Sequence, residues 1–187
     1  QSDNDKWAFE WDVLEDESRI NTVNIIIRDA VSNTIIDQKT IQVSTNNIEL
    51  DGLGLVNGGQ YYAEVKLQNI AGYWSDMVTT NTKMIDTIPP DPPSVNISEF
   101  LTSTSNFLLD WDGTDANSGV AGIIYSIKNI NTGELTTKSV TATTDITLSD
   151  LNLAQGGDYE IGVYVVDNAG LISAPVTRNI LVDATPP

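Results

Sequence analysis

Asn57-Gly-Gly-Gln-Tyr-Tyr-Ala-Glu-Val-Lys-Leu-Gln-Asn-Ile-Ala-Gly-Tyr-Trp-Ser75 returns 98 positions later as Gln155-Gly-Gly-Asp-Tyr-Glu-Ile-Gly-Val-Tyr-Val-Val-Asp-Asn-Ala-Gly-Leu-Ile-Ser173. Gly58 and Gly59 match Gly156 and Gly157, Tyr61 matches Tyr159, Val65 matches Val163, and Ala71-Gly72 matches Ala169-Gly170. A repeat of that length is the size of a domain rather than of a solenoid unit. Within each copy a Gly-Gly turn leads into residues of period two: Tyr61, Ala63, Val65 and Leu67 share one face, and Tyr159, Ile161, Val163 and Val165 share the other copy's. Strict alternation of this kind predicts a half-buried β-strand.

Working outward, the 187 residues, 40% of them hydrophobic, divide into two copies of about ninety residues, each long enough for a core of its own. In copy one, Trp7, Phe9 and Trp11 alternate on a first strand over Lys6 to Asp12. Val23 to Arg28 and Thr34 to Val43 follow around a turn at Val31 to Asn33, then Ile48 to Leu50, the repeated strand, and a last strand over Ser75 to Asp86. Copy two is predicted to have seven strands: Val95 to Ser98, Asn106 to Asp112 with Phe107, Leu109 and Trp111 inward, Ala121 to Asn129, Leu135 to Thr141, Ile146 to Leu148, Tyr159 to Asp167 and Pro175 to Asp183. No segment carries helical spacing. Copy one shows only six strands, because Gln1 to Asp5 is too short and polar to match Val95 to Ser98. The expectation is that the sequence starts inside that domain.

Ile85-Asp-Thr-Ile-Pro-Pro-Asp-Pro-Pro-Ser94 marks the boundary, since its prolines cannot continue a sheet ladder and favour a stiff extended connector. This places the domains at 1–88 and 89–187. The chain ends on Val182-Asp-Ala-Thr-Pro-Pro187, the same signature, so a further domain and a longer array are expected.

The inventory excludes much chemistry. With no cysteine and no histidine, disulfides, thiolate zinc sites and His-dependent nucleophilic triads are out of reach. A formal charge of −17, from 26 acidic and 9 basic residues, opposes binding to nucleic acid or anionic lipid. No run approaches the roughly 18 apolar residues of a membrane span, and no leader pattern opens the sequence. The acidity reads either as a solvated coat or as carboxylates gathered around divalent cations.

Trp11 and Trp111 on the strand before a polar loop, Tyr61 and Tyr159 opening the repeated strand, and the Asn/Asp-x-Ala-Gly that ends it give each copy a resemblance to a fibronectin type III module. The match is nearer to the variant of large secreted and surface bacterial proteins. Copy two carries that variant's three motifs: Trp111 through Asp115 to Ser118-Gly119-Val120, Tyr159 through Val163 to Asp167-Asn168-Ala169-Gly170, and Val182-Asp183 to Pro186-Pro187. Copy one departs in its first loop, Asp12 to Ser18, which lacks Ser-Gly, and at Asn69-Ile70. The resemblance implies an all-β fold of two tandem fibronectin type III or immunoglobulin-like β-sandwiches, with Trp and Tyr as core and corner residues. It also implies an exported, extracellular or cell-surface setting, and no catalysis.

In the resembling fold the loops after the second and sixth strands share one pole. That would gather Asp112, Asp115, Asn117, Asp167 and Asn168 near the linker acids Asp86 and Asp91, an oxygen-rich set suited to calcium. The alternative is that these residues cap turns through bonds to nearby backbone. Tyr73 and Trp74, at a turn tip, read either as a pair that packs against the neighbouring module or as a candidate contact for a glycan or protein. The expected function is a non-catalytic spacer or stalk of a surface protein of the adhesin kind, with a calcium-stiffened junction and neighbouring domains of the same polypeptide as partners. The competing reading is an accessory carbohydrate- or protein-binding module of an extracellular enzyme.

Overall fold

The computed structural model describes residues 6–12, 19–141 and 145–186. They form two compact units, 1–87 and 88–187, and contain strands and turns with no helix among the described residues. The division falls one residue earlier than the prolines suggested. Thr87 is tied to the first unit by its N–H and Oγ1, which both donate to Asn57 Oδ1 at 2.8 and 3.2 Å.

The first unit runs β1 (Trp7–Glu10), β2 (Ile20–Asp29), β3 (Ile35–Gln42), β4 (Asn47–Leu50), β5 (Gln60–Asn69), β6 (Val78–Thr79) and β7 (Lys83–Met84). One sheet is β1–β4, and the other is ordered β3–β2–β5–β6, with β7 also on β5. The core lies between them: Trp7, Phe9, Val23, Ile25, Ile27, Leu50, Leu55, Tyr61 and Ala63 are buried. The single last strand expected over Ser75 to Asp86 is two short pieces instead. Between them Thr80 turns its Oγ1 to the Ala63 N–H (3.0 Å) while its own N–H donates to Ala63 O (2.9 Å), and the ladder breaks there.

Among its described residues the second unit has eight strands: β8 (Ser94–Asn96), β9 (Phe100–Leu101), β10 (Phe107–Asp112), β11 (Val120–Asn129), β12 (Leu135–Val140), β13 (Ile146–Leu148), β14 (Asp158–Asp167) and β15 (Val176–Val182). Its sheets are ordered β13–β10–β8 and β12–β11–β14–β15–β9. Seven were expected. The extra strand arises because the first segment changes sheets, pairing antiparallel with β10 as β8 and then parallel with β15 as β9. Leu109, Ile123, Ile161, Val163, Val165 and Val182 fill the core between the sheets.

Both repeated strands start at a tyrosine corner. Tyr61 and Tyr159 are buried, and their hydroxyl oxygens accept the Val56 and Ala154 N–H groups at 3.1 and 2.8 Å. The glycine pair before each tyrosine has two roles. Gly156 takes φ +70°, and a Cβ on Gly157 would lie 2.8 Å from the Tyr159 ring and 2.9 Å from Ala154 O. Only glycine lets the chain turn and the ring close over it.

Candidate cation site and apolar groove

The loops at the β10 and β14 ends of the second unit meet. β10 alternates inward and outward, so Trp111 is buried and Asp112 faces solvent, opposite Ser94 on β8. The chain then crosses β14 so closely that a Cβ on Gly113 would lie 2.6 Å from Val165 Cγ2. Asp115 Oδ2 accepts the N–H groups of Asn117 (3.0 Å) and Gly119 (2.7 Å), which curls the loop into a tight turn closed by Gly119 at φ +79°. The Asn168 N–H donates to Gly119 O at 2.9 Å, and its Nδ2 reaches Ser118 O and Gly119 O at 2.8 and 3.1 Å. A register shift between Val120 and Gly122 turns the loop back into β11, and the first unit has the same irregularity between Ile20 and Thr22.

Asp167 ends β14 on its inner face, in phase with Tyr159, Ile161, Val163 and Val165. It is 2% exposed. Its Oδ1 accepts the Leu171 N–H at 2.8 Å, whereas Oδ2 is buried with no hydrogen-bond partner. A carboxylate oxygen of Asp115 lies within 4.8 Å of one of Asp167. Two acids at that separation, one of them removed from water, repel each other, and an unpaired buried carboxylate is costly. A hard cation relieves both terms, and oxygen donors select calcium or magnesium over softer metals.

Of the other residues expected at this pole, Asn117 and Asn168 lie on the two loops. Asp91 is anchored to the first loop, its N–H donating to Thr114 O (3.1 Å) and its Oδ2 accepting from Thr114 Oγ1 (3.3 Å). The outward-facing Asp112 is not brought to the inner acids. Asp86 belongs to the first unit, directly after Ile85, whose N–H donates to Gly59 O at 2.9 Å. The first-unit loop over 13–18 lies outside the described residues, as do residues 1–5 and Pro187.

Tyr73 and Trp74 stand where the sequence placed them, 75% and 40% exposed after the turn that follows β5. Tyr73 N–H is held by Asn69 Oδ1 (3.0 Å), and Lys66 Nζ lies 4.8 Å from the Trp74 ring centroid. Both belong to a groove of about 710 Å³ whose walls are β1 with the residues after it (Phe9, Trp11, Asp12) and β6 (Val78), over a floor of Val65 and Leu67. Trp11 and the β5 floor were assigned to the core by periodicity. The signal that they are half-open lay in the strand count, one fewer in copy one.

No protein-family model and no curated protein sequence matches this chain. Among solved structures, the FN1–FN3 domains of chicken contactin (CNTN1) align with 96% of the chain at 17% identity and a TM-score of 0.65, and the chain spans 61% of that structure's length. The fibronectin(III)-like modules of Clostridium thermocellum CbhA align with 96% of the chain at 12% identity and a TM-score of 0.58, covering 86% of their own length. At these identities the likeness concerns fold. Two tandem sandwiches of the fibronectin type III fold make up the chain.

Proposed function

We propose that the chain is a non-catalytic spacer or stalk segment of an exported bacterial surface protein of the adhesin kind, whose second module is stabilised by calcium. The spacer reading is supported by one sandwich built twice, each copy closing on an Asp-x-x-Pro-Pro signature at Asp86 and Asp183. Such modules set distance, and the net charge of −17 favours a well-solvated chain that resists self-association. The non-enzymatic reading is supported by an inventory without histidine or cysteine.

The observation that carries the calcium reading is the Asp167 carboxylate, buried with one oxygen unsatisfied beside Asp115. Asn117 and Asn168 stand on the loops after β10 and β14 and complete the proposed ligand set, with Asp91 held beside them through Thr114. Thermal unfolding in excess EDTA, in millimolar CaCl₂ and in MgCl₂ tests it. A ligand at a hundredfold over its Kd stabilises the folded state by about 2.7 kcal/mol, so a calcium-specific rise of several degrees is expected, and identical curves would overturn the site. For the spacer role, replacing these residues in the full-length protein with two unrelated sandwich modules should leave its function intact; loss would show that this surface binds something itself.

The exposure of Tyr73 and Trp74 favours a second reading, an accessory module contacting carbohydrate. Lys66 already lies against Trp74, which weakens it, because a sugar needs a free ring face. Unchanged glycan binding in Trp74→Ala would dismiss it.

A further inference from the structure

Each unit turns one face of its larger sheet outward, and the two faces are finished differently. On β2 the residues out of phase with the buried Ile25 and Ile27 lie on this face, and in the first unit its polar groups engage one another. Arg28 Nε donates to Glu64 Oε2 at 2.8 Å across β2 and β5. Asn24 Nδ2 donates to Thr40 Oγ1 at 2.8 Å across β2 and β3. Lys66 Nζ lies 4.8 Å from the Trp74 ring centroid.

In the second unit the same ladders put Lys128, Gly162, Ile124, Tyr164 and Ile172 at the places of Arg28, Glu64, Asn24, Lys66 and Trp74. All three couplings are lost. Gly162 takes away the partner of the cation, and a Cβ there would lie 2.6 Å from Ser126 Oγ, so any side chain would displace that hydroxyl. One row across the sheet therefore reads Thr137–Ser126–Gly162–Thr177 where the first unit has Gln38–Ile26–Glu64–Thr79. A groove of about 360 Å³ opens over Ser126 and Thr137, and Lys128, Glu160, Tyr164 and Ile172 also line it. Lys128 and Glu160 are cross-strand partners. Yet among the described residues the side chains of Ser126, Lys128, Thr137, Glu160 and Tyr164 make no hydrogen bond or ion pair.

We propose that this groove binds a neutral, gluco-configured sugar chain. The proposal is independent of the spacer and calcium readings, and it puts a carbohydrate contact on the second unit rather than at Tyr73 and Trp74. The volume falls within the roughly 300–1,000 Å³ of small-molecule sites, and the lining has their form, apolar walls with a few convergent polar groups. Lys128 offers only donors and Glu160 only acceptors, from adjacent strands. Neighbouring hydroxyls of one sugar ring, each both donor and acceptor, answer the two together. The amine and the carboxylate leave the groove without net charge, and the −17 of the chain disfavours an anionic sugar. Equatorial hydroxyls leave the faces of a pyranose ring as C–H surface, which suits the Tyr164 ring and Ile172. An axial hydroxyl would press a polar group onto them without a partner.

Cellotriose and maltotriose, titrated separately into the isotope-labelled whole protein and followed by NMR, are the probes. Amide shifts from at least one of them should gather at Ser126, Lys128, Thr137, Glu160, Gly162 and Tyr164. Lys128→Ala and Glu160→Ala, both on the outer face and harmless to folding, should each weaken binding roughly tenfold, the loss of one hydrogen bond to a charged group. Tyr164→Ala should weaken it by a similar factor, whereas Trp74→Ala should leave it unchanged. Trigalacturonate, charged and galacto-configured, should bind at least tenfold more weakly. Silence of both neutral sugars at millimolar concentration would overturn the proposal, as would shifts confined to Tyr73 and Trp74. So would equal binding of trigalacturonate, or full affinity in both Lys128→Ala and Glu160→Ala.

Discussion

Asp115, in the loop after β10, and Asp167, the last residue of β14, bring carboxylate oxygens within 4.8 Å of each other, and the Oδ2 of Asp167 is buried with no hydrogen-bond partner. The sign of the cation effect follows. Without a divalent ion Asp167 is an uncompensated charge, so Asp167→Asn, whose side-chain oxygen can still accept the Leu171 N–H, should unfold at the same or a higher temperature than the parent in EDTA. In calcium the order should reverse, because the variant has lost the ligand charge. Asp115→Asn should likewise lose the calcium response, whereas Asp112→Asn should keep it, since Asp112 faces away. Calcium titrations followed by calorimetry on the three variants check this; a response lost in Asp112→Asn alone would refute it.

Gly113 controls how closely the Asp115 loop lies on β14. A methyl group there would meet Val165 Cγ2 at 2.6 Å, and overpacking of this kind costs about 1–3 kcal/mol. Gly113→Ala should therefore lower the urea midpoint and weaken calcium binding together. Val165→Ala removes the obstructing methyls, so the double variant should lose less than the sum of the two single changes. Additive losses would mean that the loop does not rest on Val165.

The two tyrosine corners offer a matched pair. Each hydroxyl accepts one backbone N–H, from Val56 or Ala154. Tyr→Phe keeps the ring and leaves that N–H without its acceptor, at a cost of about 1 kcal/mol. Tyr61→Phe and Tyr159→Phe should each lower stability by that amount, read as separate shifts in urea unfolding, with little change in the folded structure.

How much of this was visible in sequence differs from residue to residue. Period two placed Phe107, Leu109 and Trp111 inside, and all three are buried. It failed for Phe100–Leu101, because a strand of two residues has no period to detect. It failed again for Ser75 to Asp86, where the β-prone residues are there but Thr80 diverts the ladder. Asp167 is the instructive case. Alternation from Tyr159 puts it in the inner row, yet an Asp before Asn-Ala-Gly reads as a turn residue, and that reading hides an acid aimed inward. The groove left a different trace: periodicity alone assigns Trp11, Val65 and Leu67 to a closed core, and only the strand count, one fewer in copy one, signals that they are half-open.

The last prediction uses one unit as the control for the other. At the β2–β3 turn, Asp29 Oδ1 accepts the Val31 N–H, the Ser32 N–H and the Ser32 hydroxyl at 2.9, 2.7 and 3.0 Å. At the equivalent β11–β12 turn, the neutral Asn129 Oδ1 accepts the Asn131 and Thr132 N–H groups at 2.9 and 3.0 Å. Bonds from Ser32, backbone first and hydroxyl second, hold the Asp29 carboxyl below its ordinary value of 3.8, against the opposing effect of desolvation. A lowered carboxylate pKa stabilises the folded state in full above the unfolded value, and that contribution disappears as pH falls through the folded value. Asp29→Asn keeps the turn, as Asn129 does, and removes the titration. The stability difference between parent and variant should stay constant from neutral pH down to the usual carboxylate range and then shrink as the acid limb is entered. Urea midpoints across that range, with an NMR titration of Asp29, measure it. A difference that does not change below pH 3.8 would show that the turn bonds do not depend on the charge.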